Sequence, residues 1–286
     1  MRYAILFSGM TERRNLNGLE FCYRTLIDCF GFHDSNIHVL TYDGSLRTTD
    51  ALVNADPTQI VWPGDKTQHR LKVTAEGSRE AFIRTLKLLQ RHLTEDDLLF
   101  VNICGHGGNY GDGRGPFLTT YPHRRRYWVE EFCADLADLP CHQTLLVLMA
   151  QCFSGGFNRA VVAASPAKHT FIASASHKLS YAMEDDPNWD CFQRNWLAAL
   201  AGGDVDGSAI QHCSPANLTR RVTVREAFEY AATCATRNPC DSPSWAARPD
   251  SASETTLREN SIAWFPNDSP PGPSLRLTAV SRCIAK

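Results

Sequence analysis

The stretch "LLVLMAQCFSGG" (Leu145–Gly156) is an apolar run that stops at a cysteine and is followed by two glycines. About forty-five residues earlier, "LLFVNICGHGG" (Leu98–Gly108) stops in the same way at a histidine. Short apolar runs bounded by glycine read as strands buried on both faces. Such strands belong to parallel sheets covered by helices on either side. In an open parallel sheet, ligands bind beyond the carboxyl ends of the strands. His106 and Cys152 both sit just past such ends, so a thiol and an imidazole far apart in sequence are brought to one crevice if their strands are neighbours.

Outward from this pair, strands and helices alternate. "RYAILFSG", "NIHVLTYD" and "HTFIASAS" read as three further buried strands. Helical spacing runs through "NGLEFCYRTLIDCFG", "SREAFIRTLKLLQRHL" with Ser78 as N-cap, "WVEEFCADLADL", Phe157–Ala164, "CFQRNWLAALAG" and "TVREAFEYAATCAT". The expected fold is α/β, a mainly parallel central sheet with helices on both faces, linked by right-handed crossovers. The polar, irregular segment Gly44–Gly77 is expected to cover one sheet edge, and "NSIAWF" is a candidate last strand. Residues 1–237 are assigned to this domain, and 238–286 to a loop-rich segment packed on it.

The totals narrow the function classes. The 286 residues are 43% hydrophobic and 21% charged, the balance of an ordinary globular protein with a sizeable core. A net charge of -2 supplies no reason to expect nucleic acid or an anionic membrane as partner. The one basic cluster, "HRRRYW" (His123–Trp128), reads as a solvated loop. No run approaches the roughly 20 apolar residues of a membrane span, and "MRYAILFSGM" lacks the form of a secretory signal. Eleven scattered cysteines fit reduced thiols and a cytoplasmic setting.

The chemistry of the pair is nucleophilic. A free thiol is mostly protonated at neutral pH, so a nucleophilic cysteine needs a base beside it. Histidine can take that proton and later give it to a leaving amine. The oxyanion formed on attack needs backbone donors, for which the amides of Gly107, Gly108 and Cys152 are placed. For the group that orients His106, Asn102 and Asp112 are both candidates, and Gly111–Arg126 is a candidate lid.

At these residues the sequence resembles the caspase-like superfamily of cysteine peptidases, and within it the legumain family. "GHGG" and "AQCFSGG" look like its histidine and cysteine blocks, "LSYAMEDD" like the Ser-Tyr-Ala block, and "DCFQRNW" keeps an Asp and Asn-Trp spacing. "ILFSG", "CYRTL" and "NIHVLTYD" resemble the family's opening strand, helix and strand. The resemblance implies a caspase-like three-layer sandwich and a cysteine endopeptidase with His106 and Cys152 as catalytic dyad. It implies Gly107 and Cys152 as oxyanion hole, and Asp190, Ser174, Ser176 and an early arginine, Arg14 or its neighbour Arg13, as substrate-binding residues. It implies neither cofactor nor metal, and a protein or peptide as partner. The legumain pocket carboxylate two positions before the cysteine is Ala150 here, and the acidic residue before the histidine is Gly105. Asp190 has a second reading as the N-cap of the helix that follows it. A catalytically silent binding domain and a transamidase using the same dyad are the alternative functions.

Overall fold

Apolar runs short enough to be strands, and apolar on both sides, stack into one sheet. The computed structural model describes residues 1–50, 61–182, 186–210, 222–235 and 242–248. The large sheet has seven strands: β1 (Arg2–Ser8), β2 (Ile37–Thr41), β3 (Val73–Ala75), β4 (Leu98–Cys104), β8 (Thr144–Met149), β9 (His169–Ser174) and β10 (Ser244–Ala247). A smaller antiparallel sheet is formed by β5 (Gly107–Asn109), β6 (Pro116–Thr120) and β7 (Arg125–Trp128). The helices are α1 (Arg13–Asp28), α2 (Arg79–Leu89), α3 (Val129–Ala137), α4 (Asn158–Ala164), α5 (Cys191–Ala201) and α6 (Val224–Ala235).

Strand order in the large sheet is β10-β9-β8-β4-β1-β2-β3, parallel throughout except where β10 runs against β9. Successive side chains on a strand point to opposite faces, and here both faces are apolar. On one, Ala4, Leu6, Phe100, Leu148 and Ala173 meet Leu16 and Leu19 of α1, Trp196 of α5 and Phe228 of α6. On the other, Ile5, Phe7, Val101, Val147 and Ile172 meet Phe82 of α2, Phe132 of α3 and Val161 of α4. The result is the expected three-layer arrangement of helices, sheet and helices.

The chain runs from β1 outward to β2 and β3, then returns to β4 on the other side of β1 and continues to β8 and β9. The order therefore reverses between β1 and β4, and the crevice beyond their carboxyl ends is where this architecture holds its ligands.

The edge at β2 and β3 is closed by residues from 61 onward, clipped onto α1. Glu20 is fully buried and accepts hydrogen bonds from Arg24 Nε (2.6 Å) and from the backbone N–H groups of Arg70 (2.7 Å) and Leu71 (2.9 Å). Arg24 also donates to Asp65 (2.6 Å), Thr67 Oγ1 (2.8 Å) and the Gln68 carbonyl (3.0 Å), and lies 4.3 Å from the Trp62 ring. Removing the Glu20 carboxylate leaves Arg24 Nε and two backbone donors without their acceptor, although Arg24 keeps Asp65. Glu20→Ala should therefore lower stability by about 3–5 kcal/mol, read as a lower midpoint in urea; a midpoint within experimental error of wild type would show that water replaces the carboxylate without cost.

Three local expectations are corrected. Val73–Ala75, inside the segment expected to be irregular, is a strand. Arg125–Trp128, expected in a solvated loop, is β7, with Tyr127 buried and the two arginines exposed. The Gly111–Arg126 stretch contributes two antiparallel strands rather than a lid alone. These strands have three to five residues, too few for an alternating pattern to stand out from glycine, proline and arginine. The candidate strand "NSIAWF" lies outside the described residues; β10 comes instead from "SWAA", in the tail expected to be loop.

Candidate active site

Hydrogen-bonded register aligns the ends of three neighbouring strands. Ser8 of β1 pairs with Cys104 of β4, and Ile103 of β4 with Met149 of β8. The Ala150 amide then donates to the Ile103 carbonyl at 2.8 Å, extending the row by one residue. Glu12, His106 and Cys152 follow in the chain within a few residues of that row, from β1, β4 and β8 respectively.

Gly105 turns the chain out of β4 with φ +120°, a conformation L side chains avoid. A Cβ at this position would also lie 3.3 Å from Ser8 Oγ, on the neighbouring strand end. The His106 carbonyl accepts from the Thr119 amide (2.9 Å), tying the histidine to β6. Its imidazole is 34% exposed, and Nε2 is 2.7 Å from Glu12 Oε1. Glu12 Oε2 pairs with Arg14 at 3.0 Å, while the Glu12 backbone N–H donates to Asn15 Oδ1 at 2.9 Å at the start of α1.

Glu12 is the carboxylate that sequence reasoning passed over. The two candidates named for orienting His106 are elsewhere. Asn102 is fully buried within β4, with neither side-chain polar atom hydrogen bonded among the described residues. Asp112 binds Arg114 at 2.6 Å on the surface. One signal did point to Glu12: "SGMTERR" follows β1 directly, and β1 is the neighbour of β4.

Cys152 is half-buried, and its Sγ–H donates to the Ala182 carbonyl at 3.7 Å. The next residue, Phe153, takes the left-handed conformation (φ 59°, ψ 17°), which a bulky side chain adopts only when its surroundings enforce it. Those surroundings are visible. The Phe153 amide donates to the Ser180 carbonyl (2.9 Å), Gly155 N–H to the Ser176 carbonyl (2.9 Å), and Ser154 N–H to Ser176 Oγ (3.1 Å). Gly107 closes the gap between the histidine strand and this loop: a Cβ there would lie 2.6 Å from the Cys152 carbonyl oxygen and 2.8 Å from Gln151 Cγ.

The thiol and the imidazole are not hydrogen bonded to each other, since Sγ faces Ala182 and Nε2 faces Glu12. Burial pushes the Cys152 thiol up from its ordinary range, and the Asp190 carboxylate pushes the same way against the pull of the Arg14 guanidinium. The two side chains expected to shape a specificity pocket thus act on the sulfur in opposite senses. Asp190 also does what its second reading required: Oδ1 caps α5 by accepting from Gln193 N–H at 2.9 Å.

Ser174 and Ser176 lie differently from expectation. Both are fully buried. Ser174 Oγ donates to Asn158 Oδ1 (2.7 Å), and Ser176 Oγ is bonded to Ser154 and to the Gln151 carbonyl (3.3 Å). The Ser176 hydroxyl holds the cysteine loop from below, and the Ser174 hydroxyl ties β9 to α4.

Residues 2–233 match the model of the peptidase C13 family. No curated protein matches the chain. Among solved structures, protein GSU0716 from Geobacter sulfurreducens aligns over 87% of this chain and 94% of its own, with 13% identity and a TM-score of 0.49.

Proposed function

The chain belongs to the peptidase C13 family, and on that premise we propose that it is a cysteine endopeptidase with Cys152 as nucleophile, His106 as acid–base and Glu12 as the group that orients His106. The observation that carries this reading is the convergence of the three residues from adjacent parallel strands at the point where strand order reverses.

With Nε2 bound to the Glu12 carboxylate, Nε2 holds the hydrogen and Nδ1 is the nitrogen that accepts. A peptide entering the crevice displaces Sγ–H from the Ala182 carbonyl, and the thiol proton passes to Nδ1 as sulfur attacks the scissile carbonyl carbon. The C–S bond forms while the carbonyl π pair moves to oxygen, where the N–H groups of Gly107 and Cys152 receive it. Collapse of that adduct breaks the C–N bond, and Nδ1–H protonates the departing amine. The thioester left behind is opened by water, which gives its proton to the imidazole, and the acid product leaves with the thiol restored.

Specificity does not follow the legumain pattern in full. The position of the pocket carboxylate is Ala150, 1% exposed, so that oxygen is missing. Asp190 and Arg14, whose charges push the Cys152 thiol in opposite directions, supply charge of both signs instead. Digestion of a proteome-derived peptide mixture across pH 5–9 tests the reading and reports the residue before the cut. Products with one preferred residue at that position are expected. A folded chain that yields no product at any pH overturns the endopeptidase and leaves the silent binding domain.

A further inference from the structure

The small sheet that begins one residue after His106 has a face the mechanism does not use. Its inner positions, Leu118 and Tyr127, are buried in the core beneath α2 and α3. Its outer face carries Phe117 and Trp128, which pair across β6 and β7, with the Phe117 ring lying over Gly108. Among the described residues, no helix covers this face. It is covered by Tyr110, 53% exposed, whose ring centroid is 5.2 Å from Phe117 and 6.2 Å from Trp128, and by two guanidinium groups. Arg114 stacks on Trp128 at 4.3 Å, and Arg126 on Tyr110 at 4.5 Å and Phe117 at 5.6 Å.

The two arginines differ in one respect. Arg114 is neutralised by Asp112 at 2.6 Å, and the adjacent Arg125 by Glu80 at 3.5 Å. Arg126 is exposed and has no carboxylate partner among the described residues. Its guanidinium lies over two rings, so much of the conformational entropy that a long side chain loses on binding is already spent. The turn before it adds exposed His123 and Arg124, and no acidic side chain stands between.

Register places this cation relative to the chemistry. Gly107 pairs with Leu118, so His106 falls opposite Thr119, to which it is hydrogen bonded, and Thr119 pairs with Arg126. His106, Thr119 and Arg126 form one row across three strands, on the same face as Phe117 and Trp128. At about 4.8 Å per strand, Arg126 is about 10 Å from His106, the length of roughly three extended residues. His106 protonates the departing amine, so the part of the substrate that lies toward it is the leaving segment.

The geometry points to a leaving-side subsite in which Arg126, stacked on Tyr110 and Phe117, receives an acidic side chain of the substrate within about three residues beyond the cut. This rests on the endopeptidase reading above. The chemistry recognised is a carboxylate on an extended peptide; the flanking rings favour an apolar or aromatic neighbour to it.

The test uses peptides built on the cut site found by digestion, differing only in Asp or Asn at each of the first four leaving positions. At one of these, wild type should cleave the Asp peptide about three- to tenfold faster in kcat/KM, a size suited to a partly exposed charge pair. Raising salt from about 0.05 to 0.5 M should flatten the ratio. Arg126→Gln should bring the ratio to about one, Arg126→Glu should invert it and Arg126→Lys should keep part of it, with melting curves confirming that each variant folds. The salt series on wild type needs no variant and stands if the substitutions unfold the sheet. Equal cleavage of both peptides by wild type at every position, or a preference unchanged in Arg126→Gln and Arg126→Glu, overturns the subsite alone. A wild type that cleaves none of them removes the endopeptidase reading, and the subsite falls with it.

Discussion

Cys152→Ala should abolish peptide cleavage, by about 10⁴-fold or more in kcat, while the protein stays folded. Removing the nucleophile of an acyl-transfer enzyme removes the covalent route altogether, and the background left by binding and the oxyanion hole is typically smaller by several orders of magnitude. The fold should tolerate the change. The side chain is only half-buried, its Sγ–H makes a long 3.7 Å contact with the Ala182 carbonyl, and the loop is held by the bonds of Phe153, Ser154 and Gly155 rather than by sulfur. Thiol alkylation gives an independent reading. Because burial and Asp190 push the resting Cys152 thiol up, the thiolate fraction at pH 7 is below that of a free cysteine. Iodoacetamide should therefore label Cys152 more slowly than it labels a free thiol at pH 7, and the rate should rise as pH passes the ordinary thiol range. Cys22 and Cys133 should resist longer, since burial pushes Cys133 to about 11 and Cys22 well above its ordinary value. Peptide cleavage that persists in Cys152→Ala would remove this residue from the mechanism, whatever the labelling shows.

Glu12→Gln should lower kcat by about 10²–10⁴-fold with little change in KM, the scale seen when the carboxylate behind a catalytic histidine is replaced by an amide. The carboxylate at 2.7 Å fixes hydrogen on Nε2, leaves Nδ1 able to accept and stabilises the imidazolium that forms during attack. An amide in its place can donate to Nε2 and select the wrong tautomer, and it carries no charge to balance the imidazolium. The substitution separates this role from a structural one. The start of α1 is held by a capping box, in which the Glu12 backbone N–H donates to Asn15 Oδ1 and the Glu12 side chain accepts from the Asn15 N–H. The amide keeps the first bond and an oxygen for the second, and the partly exposed pair with Arg14 is worth little. Melting temperature should therefore move little while kcat collapses. A Glu12→Gln enzyme with kcat within about twofold of wild type would show that His106 needs no carboxylate.

Much of this protein was legible without coordinates. Strands β1, β2, β4, β8 and β9 and the six α-helices among the described residues coincide with expected segments within a few residues, because each carries its own pattern. Ser78 was identifiable as an N-cap and accepts from Ala81 N–H. His106 and Cys152 were identifiable because each ends an apolar run at glycine. What stayed hidden was built from short or non-local pieces. Strands β3, β5, β6 and β7 have three to five residues and draw stability from pairing rather than from their own pattern. Ser174 and Ser176 look like a strand end open to ligand, yet they are sealed beneath the cysteine loop by Asn158 and Ser154.

The amino-acid order by itself determined the layered α/β architecture and the two side chains most suited to the chemistry, because hydrophobic period and glycine stops are local properties of the chain. Only the tertiary structure decided which carboxylate meets His106. Glu12 lies 94 positions away and becomes its partner because β1 and β4 pair in parallel register where the strand order reverses. That pairing is set by burying both faces of the whole sheet at once, and no window of sequence around either residue contains it.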